Sequence, residues 1–535
     1  MFYPMLYAET HYKLKYLYPR YYKREPIVLF DIPSRVLLKR TNSTLPVFLL
    51  IKNANLYPAT ISDIIINVFF NKKKYTIQLE NIIITHSKLE YFQFDITVAA
   101  ISDRHPSVGN AFIRSASVSA ISDRQINGET PSVQWRSEIA DTDRHITVNI
   151  SFKINNIPYI NDNYFPASPH NFKVVLSKQD TIFPKGWHIG DAHYHSSYTS
   201  DQVEFGAPIE MTKSIAYSMG LDWFFVTDHS YDLDDKEDDF TSNDPNLPKW
   251  KKMKEECERL SDENVRILYG EEVSIKNNKG KNVHLLAINH PDFLPGNGDG
   301  FELNNEIPSL STNGVSPFLQ NDTPESNNSL LIAAHPFEPV PLLQKIFLKR
   351  GQWSLTDLKH VEYVQLINGK TIQENLIQID KFFKLLLTGK KYKIIAGNDA
   401  HGNFQFMKQV KLPFVNLICK KEQIFGNYFT AFQSEKNNPL DGIKNGKSLI
   451  SNGPFIDFDF NNVDSVNYQY IIQPQHGKIV KLQLIIGDVS CKKITKIQLN
   501  IKKKKKKLKI GNDLFVAMLL ITNNGYVAVT NPVYV

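Results

Sequence analysis

The sequence predicts a multidomain chain. Its centre is an α/β barrel of parallel strands, flanked by N-terminal and C-terminal β-sandwich-like domains. Three observations predict this. A length of 535 residues exceeds one ordinary domain and sets a range of two to four. Between residues 184 and 453, short apolar runs alternate with segments of helical spacing, as β/α units do. On either side, short β-type runs are separated by Asn, Asp, Pro and Lys, and the 12% aromatic content suits such strands.

The N-terminal domain spans residues 1–183. Residues 1–26 form an irregular arm. Strands follow at Ile27-Val-Leu-Phe, Val47-Phe-Leu-Leu-Ile, Ile64-Ile-Ile-Asn-Val-Phe-Phe and Tyr75-Thr-Ile-Gln-Leu. A segment near residues 99–145 differs in composition. Five arginines (Arg104, Arg114, Arg124, Arg136, Arg144) fall between Leu89 and Phe152 with no lysine, and Ala-Ile-Ser-Asp-Arg occurs at 100–104 and again at 120–124. This reads as an inserted, poorly ordered surface loop, since long surface insertions cost little stability. Strands resume at Ile146-Thr-Val-Asn-Ile-Ser-Phe and Phe172-Lys-Val-Val-Leu.

In the central domain (184–453), helical spacing predicts helices at Ile209–Gly220, Pro248 to about Glu263, and Thr371–Leu387. Gly220 and Gly389 serve as stops and Pro248 as a start. Strands are predicted at Leu221–Thr227, Val265–Tyr269, Val283–Ile288, Leu330–Ala334, Tyr363–Ile367 and Tyr392–Ala396, with a long loop over Pro291–Asn328. Alternating runs from Phe455 onward predict a small β domain at 454–535, in which Lys502–Lys507 forms a solvated strand edge where lysines discourage edge pairing.

Lys and Arg total 62 against 55 Asp and Glu, a net charge of +7 that does not demand a nucleic-acid partner. Three dispersed cysteines (Cys257, Cys419, Cys491) exclude a disulfide framework and a Cys-x-x-Cys zinc motif, and favour a reducing compartment. No signal-peptide core and no apolar run of membrane-crossing length is present. The expected protein is cytoplasmic, acts on a small molecule and has no membrane partner. Its oligomeric state is open.

The chemistry concentrates around Gly186–Asp201. His193-x-His195 on a strand points both imidazoles to one side, because side chains alternate with period two. Later strands of the central domain also end in ligand-type residues: Thr227-Asp228-His229, Glu271-Glu272, His284, Ala334-His335-Pro336 and Asn398-Asp399-Ala400-His401. One histidine after an apolar strand is most often a hydrogen-bonded core residue. Six, gathered with Glu272 and Asp399 at one end of a sheet, are costly to bury unless metal ions neutralise the set. Asp228 reads as an orienting or capping residue, and Glu271 points away from Glu272. His188 and His290 lie near the motifs but read as surface residues.

The motif order His-x-His, Thr-Asp-His, Gly-x-Glu, His, Ala-His-Pro, Asp-Ala-His resembles the PHP (polymerase and histidinol phosphatase) superfamily. Gly186-Trp-x-x-Gly-Asp-x-His-x-His195, Gly270-Glu-Glu-Val-Ser274, Asn368-Gly369 and Asn452-Gly-Pro-Phe455 are similar to its carbaryl-hydrolase-like branch. The resemblance covers residues 184–460 and implies a distorted barrel of seven β/α units with two or three divalent ions (Zn, Mn or Fe). It implies one ion on His193, His195, Glu272 and Asp399, a second on Glu272, His284 and His335, and a third on Asp201, His229 and His401. The branch places an acid five residues after the second histidine. Here Ser200 stands there, and Asp201 follows at six. Asn398 replaces a serine common in relatives, a change expected to be neutral.

A metal-activated hydroxide, with Asp399 as proton acceptor, would hydrolyse an ester. The superfamily resemblance favours a phosphoesterase acting on a small phosphorylated metabolite or nucleotide. The branch favours a carboxylic ester, amide or carbamate. The central domain has only three arginines (Arg259, Arg266, Arg350), none in a ligand motif, which weighs against phosphate. Two further readings are a non-catalytic, metal-stabilised binding protein and a nuclease, the latter disfavoured by the near-balanced charge.

Overall fold

A computed structural model describes residues 26–79, 83–97, 111–117, 144–163, 170–178, 181–199, 206–237, 239–296, 328–342, 345, 349–411, 416–462, 465–502, 505–507 and 514–535. The N-terminal part holds two sheets. One runs Ile27–Asp31, Thr44–Lys52, Leu89–Thr97, Ala111–Ser117; the other is built on Phe172–Ser177, Arg144–Ile154 and Ala59–Phe70. Residues from both share one core, including Phe30, Phe94, Val148 and Phe152. Alternation explains it: in Arg144–Ile154 every second side chain from Ile146 on is buried. Ala111–Ser117, expected within a loop, is an edge strand on Leu89–Thr97. The rest of that insertion lies outside the described residues.

From Trp187 a single fifteen-stranded sheet begins. Eight of its strands carry or support the candidate site: β1 (Trp187–His195), β2 (Trp223–His229), β3 (Arg266–Lys276), β4 (Asn282–Ile288), β5 (Leu330–Ala333), β6 (Tyr363–Asn368), β7 (Lys393–Gly397) and β8 (Ala400–His401). Three helices of more than ten residues lie between them, with short helical turns at Ser230–Leu233 and Leu355–Leu358. Helix α1 (Ile209–Met219) stops at Gly220, whose φ of 87° is left-handed and where a Cβ would meet Leu37 Cδ1 at 2.4 Å. Helix α2 (Pro248–Leu260) starts on its proline, and α3 (Ile372–Leu386) on a capping box between Thr371 and Glu374.

The expected architecture, a (β/α)7 barrel between two separate sandwich domains, is corrected by this topology. Strand outweighs helix several-fold among the described residues. The parallel run is broken: β4 is antiparallel to both β3 and β5. The reason is local. Only Asn277-Asn-Lys-Gly-Lys281 joins β3 to β4, closed by Asn277 N–H to Lys281 O at 2.8 Å, and a parallel crossover needs a dozen residues or more. The C-terminal strands are also not a separate sandwich. β1 pairs antiparallel with Phe429–Gln433, which pairs with Ser448–Ser451 and then Val527–Thr530, so the same sheet runs on to Lys493–Gln498. Near the end of the chain, Tyr534 Oη accepts from Tyr392 N and donates to Tyr392 O, at 2.7 and 2.8 Å, just before β7. Lys505–Lys507 is an exposed edge strand on Ser465–Ile471. Among the described residues no helix is long and apolar enough to cross a membrane.

Candidate metal centre

Strand period places the first ligands. On β1, Tyr194 turns into the core, where its hydroxyl donates to Ala207 O at 2.8 Å and lies 2.6 Å from Thr212 Oγ1. His193 and His195 therefore take the opposite face, fully buried. Gly397 on β7 permits their approach, since a Cβ there would lie 2.5 Å from His193 Cβ. β2 runs parallel to β1 and β3 and sets His229 opposite Glu272. The antiparallel turn of β4 brings its N-terminal end to the same place, with His284 paired to Ser274. His335 and Asp399 both have positive φ, 31° and 53°, an uncommon backbone for residues with a side chain and one found at functional sites. The amide of Asp399 donates to His193 O at 2.9 Å, which fixes that turn.

Glu272 is the hub. Its Oε1 lies 2.6 Å from His284 Nδ1, 3.1 Å from His335 Nε2 and 3.5 Å from His193 Nε2. Its Oε2 lies 3.1 Å from His229 Nδ1 and 3.5 Å from His195 Nε2. Asp399 Oδ1 lies 3.1 Å from His195 Nε2 and 3.5 Å from His193 Nε2. Three overlapping groups have ligand atoms close enough to hold a metal ion: His193, His195, Glu272 and Asp399; His229, Glu272 and His284; and His195, His229 and His401.

The donor set fits cations. Gln365 donates its amide to Asn368 Oδ1 at 2.7 Å, so its Oε1, 2.9 Å from His193 Nδ1, accepts a hydrogen from that ring. This leaves His193 Nε2 with a free lone pair, facing His195 Nε2 at 3.1 Å. His401 Nδ1 sits 3.2 Å from the carbonyl of Asp399 and donates to it. Its Nε2 is buried with no hydrogen-bond partner among the described residues. A buried, unpaired ring nitrogen of this kind is what a cation would satisfy.

Electrostatics point the same way. Burial opposes charge on His193 and His195, but Glu272 and Asp399 outweigh it and raise both, His195 to about 10. Burial and the neighbouring His195 push His229 down to about 3 and hold His401 well below the usual imidazole range. Burial would raise Glu272 and Asp399, yet the surrounding imidazoles hold both well below the carboxylate range. His195 thus takes up a proton to balance the two carboxylates, a task divalent ions would perform.

The structure brings together His193, His195, His229, Glu272, His284, His335, Asp399 and His401. Asp201 lies outside the described residues. Asp228 turns away from the cluster and accepts from Ser196 N and Oγ and from Thr199 N and Oγ1, at 2.6–3.0 Å, anchoring the loop after β1. Asn398, expected to be a neutral replacement, is buried and fully hydrogen-bonded. Its Nδ2 donates to Asp191 Oδ2 and Tyr428 O, both at 2.7 Å, and its Oδ1 accepts from Tyr428 N. His188 packs on Phe432, and His290 Nδ1 faces Asp292 O. Sequence reasoning missed the amides that set the ligands: Gln365, and Asn368 and Gln423, which donate to Asp399 Oδ2 at 3.2 and 2.8 Å. The Asn368-Gly369 motif was visible, but its task was not.

No family model matches the sequence, and no curated protein matches it. Among solved structures, a β-glucuronidase of Parabacteroides merdae aligns with 9% identity and a TM-score of 0.19, over 95% of this chain and 63% of that one. The same enzyme with glycerol in its active site aligns with 7% identity and a TM-score of 0.16, over 95% and 64%. The chain therefore spans less than two thirds of the length of these structures. Likeness at that level carries no argument about fold or chemistry.

Proposed function

We propose that the chain is a metal-dependent hydrolase, a phosphoesterase acting on a small phosphorylated compound in the cytoplasm with two or three divalent ions (Zn, Mn or Fe). The observation that carries this reading is the convergence of buried imidazoles on Glu272 and Asp399 at the floor of a cavity of about 400 Å³. The order of these residues along the chain also resembles that of the PHP superfamily. Bound divalent ions would supply Lewis-acid polarisation of the ester and acidify water at the site.

The chain's own residues supply the rest. Gln365 holds His193 in the tautomer that presents Nε2. Asn368 and Gln423 hold Asp399 by one oxygen, leaving Oδ1 toward the imidazoles to accept a proton from the attacking water. Arg350, Lys370 and Lys381 line the cavity wall, so phosphate-binding charge is present although no arginine lies within a ligand motif.

The test joins elemental analysis to a substrate panel. The parent protein should retain divalent metal and release phosphate from small monoesters with added Mn²⁺ or Zn²⁺, and His195→Ala should lose both properties. Turnover of aryl carbamates without phosphate release would replace this reading by the carbamate hydrolase. Full metal occupancy with no turnover would favour a binding protein.

A further inference from the structure

The cluster forms the floor of the cavity, and the wall above it has a different chemistry. Residues 336–341, Pro-Phe-Glu-Pro-Val-Pro, line the cavity together with Trp353 and with Ile377 of α3. Floor and wall differ in exposure. Glu272 on the floor is 1% exposed, whereas Phe337, Val340 and Trp353 are half-buried and Ile377 is 57% exposed. The apolar side chains therefore present surface that a ligand can reach. One exposed isoleucine means little by itself, but this one shares a cavity with a run of apolar residues that leads down to the cluster. The wall is also held rigid by its polar groups. Lys381 Nζ donates to Phe337 O at 3.0 Å, Gln352 Nε2 to Glu338 O at 3.2 Å, and the Glu338 amide to His335 O at 3.1 Å. The Glu338 carboxylate lies 4.0 Å from Lys370 Nζ. Trp353 Nε1 donates to His284 O at 3.2 Å, which fixes the indole. Glu374, also on the lining, is committed to the capping box of α3. Pro336, Pro339 and Pro341 fix their own backbone angles and bring no N–H. A preformed apolar wall binds a matching group without the cost of ordering it first.

We infer that the substrate's leaving group is a branched or cyclic hydrocarbon, seated against residues 336–341, Trp353 and Ile377, and that Ile377 and Val340 set this preference. The inference rests on the phosphoesterase reading and deepens it. With the reacting ester at the cluster, the leaving group points up the cavity toward solvent, and the apolar wall is what it meets there. Arg350, Lys370 and Lys381 line the same cavity and bring positive charge for the phosphoryl end. A polyol leaving group would give up water for carbon at Phe337, Val340 and Ile377, which is a loss for each hydroxyl buried. A hydrocarbon gains from the same exchange.

The test uses binding, so that it stands apart from turnover. Calorimetry on the full chain loaded with Mn²⁺ or Zn²⁺ compares cyclohexylmethylphosphonate with methylphosphonate and with 2,3-dihydroxypropylphosphonate. The cyclohexylmethyl compound should bind about tenfold tighter or more than either, since each methylene in an apolar pocket is worth about tenfold or more. Methylphosphonate is too short to reach the wall and serves as the reference within each variant. In Ile377→Ser, and separately in Val340→Ser, the ratio of cyclohexylmethyl to methyl binding should shrink by about threefold or more. Both side chains are accessible, so each variant should fold, and its melting temperature is checked against the parent. Equal binding of the three compounds, tighter binding of the dihydroxy compound, or an unchanged ratio in both variants would overturn the inference. Phosphate release from the matching monoesters is measured in parallel. Selective binding without turnover would overturn the hydrolase reading alone. Turnover with equal binding would overturn this inference alone, and no binding of any compound would overturn both.

Discussion

Glu271 and Glu272 are neighbours on β3, and both are buried, at 2% and 1% exposure, yet they occupy opposite electrostatic worlds. Alternation sends Glu272 among imidazoles, which hold it well below the carboxylate range. It sends Glu271 to the other face, where burial, with the charge of Asp234 adding to it, pushes it well above that range. There Glu271 Oε1 accepts from Leu294 N at 2.8 Å, while Oε2 has no hydrogen-bond partner among the described residues. Asp234, also buried, is raised to about 7. Equal burial thus gives opposite ionisation, and the neighbours decide which face of the strand can hold a cation.

The largest expected effect is at the hub. Glu272→Gln should lower metal content to background by elemental analysis. In metal-free protein it should cost about 3–5 kcal/mol in urea unfolding, because protonated imidazoles lose their buried counter-charge. Retained metal would break the comparison at its stronger side.

Metal binding should also move protons. His195, raised to about 10 by the two carboxylates, holds a proton at neutral pH in the metal-free protein, and a cation must displace it. Affinity should therefore rise with pH through the neutral range. Calorimetry in two buffers of different ionisation heat should show net proton release, and a heat independent of buffer would show that the ring is already neutral. Next in size, Asn398→Ser removes the amide that spans Asp191 and Tyr428 and should cost about 1–3 kcal/mol in thermal unfolding. An unchanged melting point would restore the expectation of neutrality drawn from the resemblance.

The smallest effect has the opposite sign. Glu271, raised when folded, keeps its proton to higher pH in the native state than in the unfolded chain. The parent therefore loses stability as pH rises from the ordinary carboxylate value toward the raised one. Glu271→Gln carries no such penalty. It should be slightly more stable than the parent at pH 7, with the gap closing toward pH 4. A destabilised variant whose deficit does not vary with pH would show that Glu271 does not titrate as its surroundings require.

Much of the candidate metal site was legible because its signals are local. Period two placed His193 and His195 together, and apolar runs ending in Asp-His, His-Pro and Asp-Ala-His marked the other members of the cluster. The three helices of more than ten residues were legible to within a few residues because Gly220, Pro248 and Thr371 with Glu374 are chemical punctuation; the shorter Ser230–Leu233, Leu355–Leu358 and Pro439–Asn445 were not read. Two larger features were not read either. The Asn277–Lys281 turn, with Gly280 at positive φ, is a hairpin signal, but a barrel of parallel strands was inferred across it. The continuity of the sheet rests on pairing such as Ser448–Ser451 with Val527–Thr530, which leaves no trace in either segment alone. Amide residues such as Gln365 and Gln423 escaped because a neutral side chain that orients a ligand looks like any other polar residue.

The bond between Tyr534 and Tyr392 gives the candidate metal centre a remote anchor. Tyr392 immediately precedes β7, and the turn after β7 carries Asp399, so the last strand of the chain steadies the approach to one of the two carboxylates. The change Tyr534→Phe removes both of these bonds. It would loosen that approach, and the rate at which a chelator strips metal would report on it.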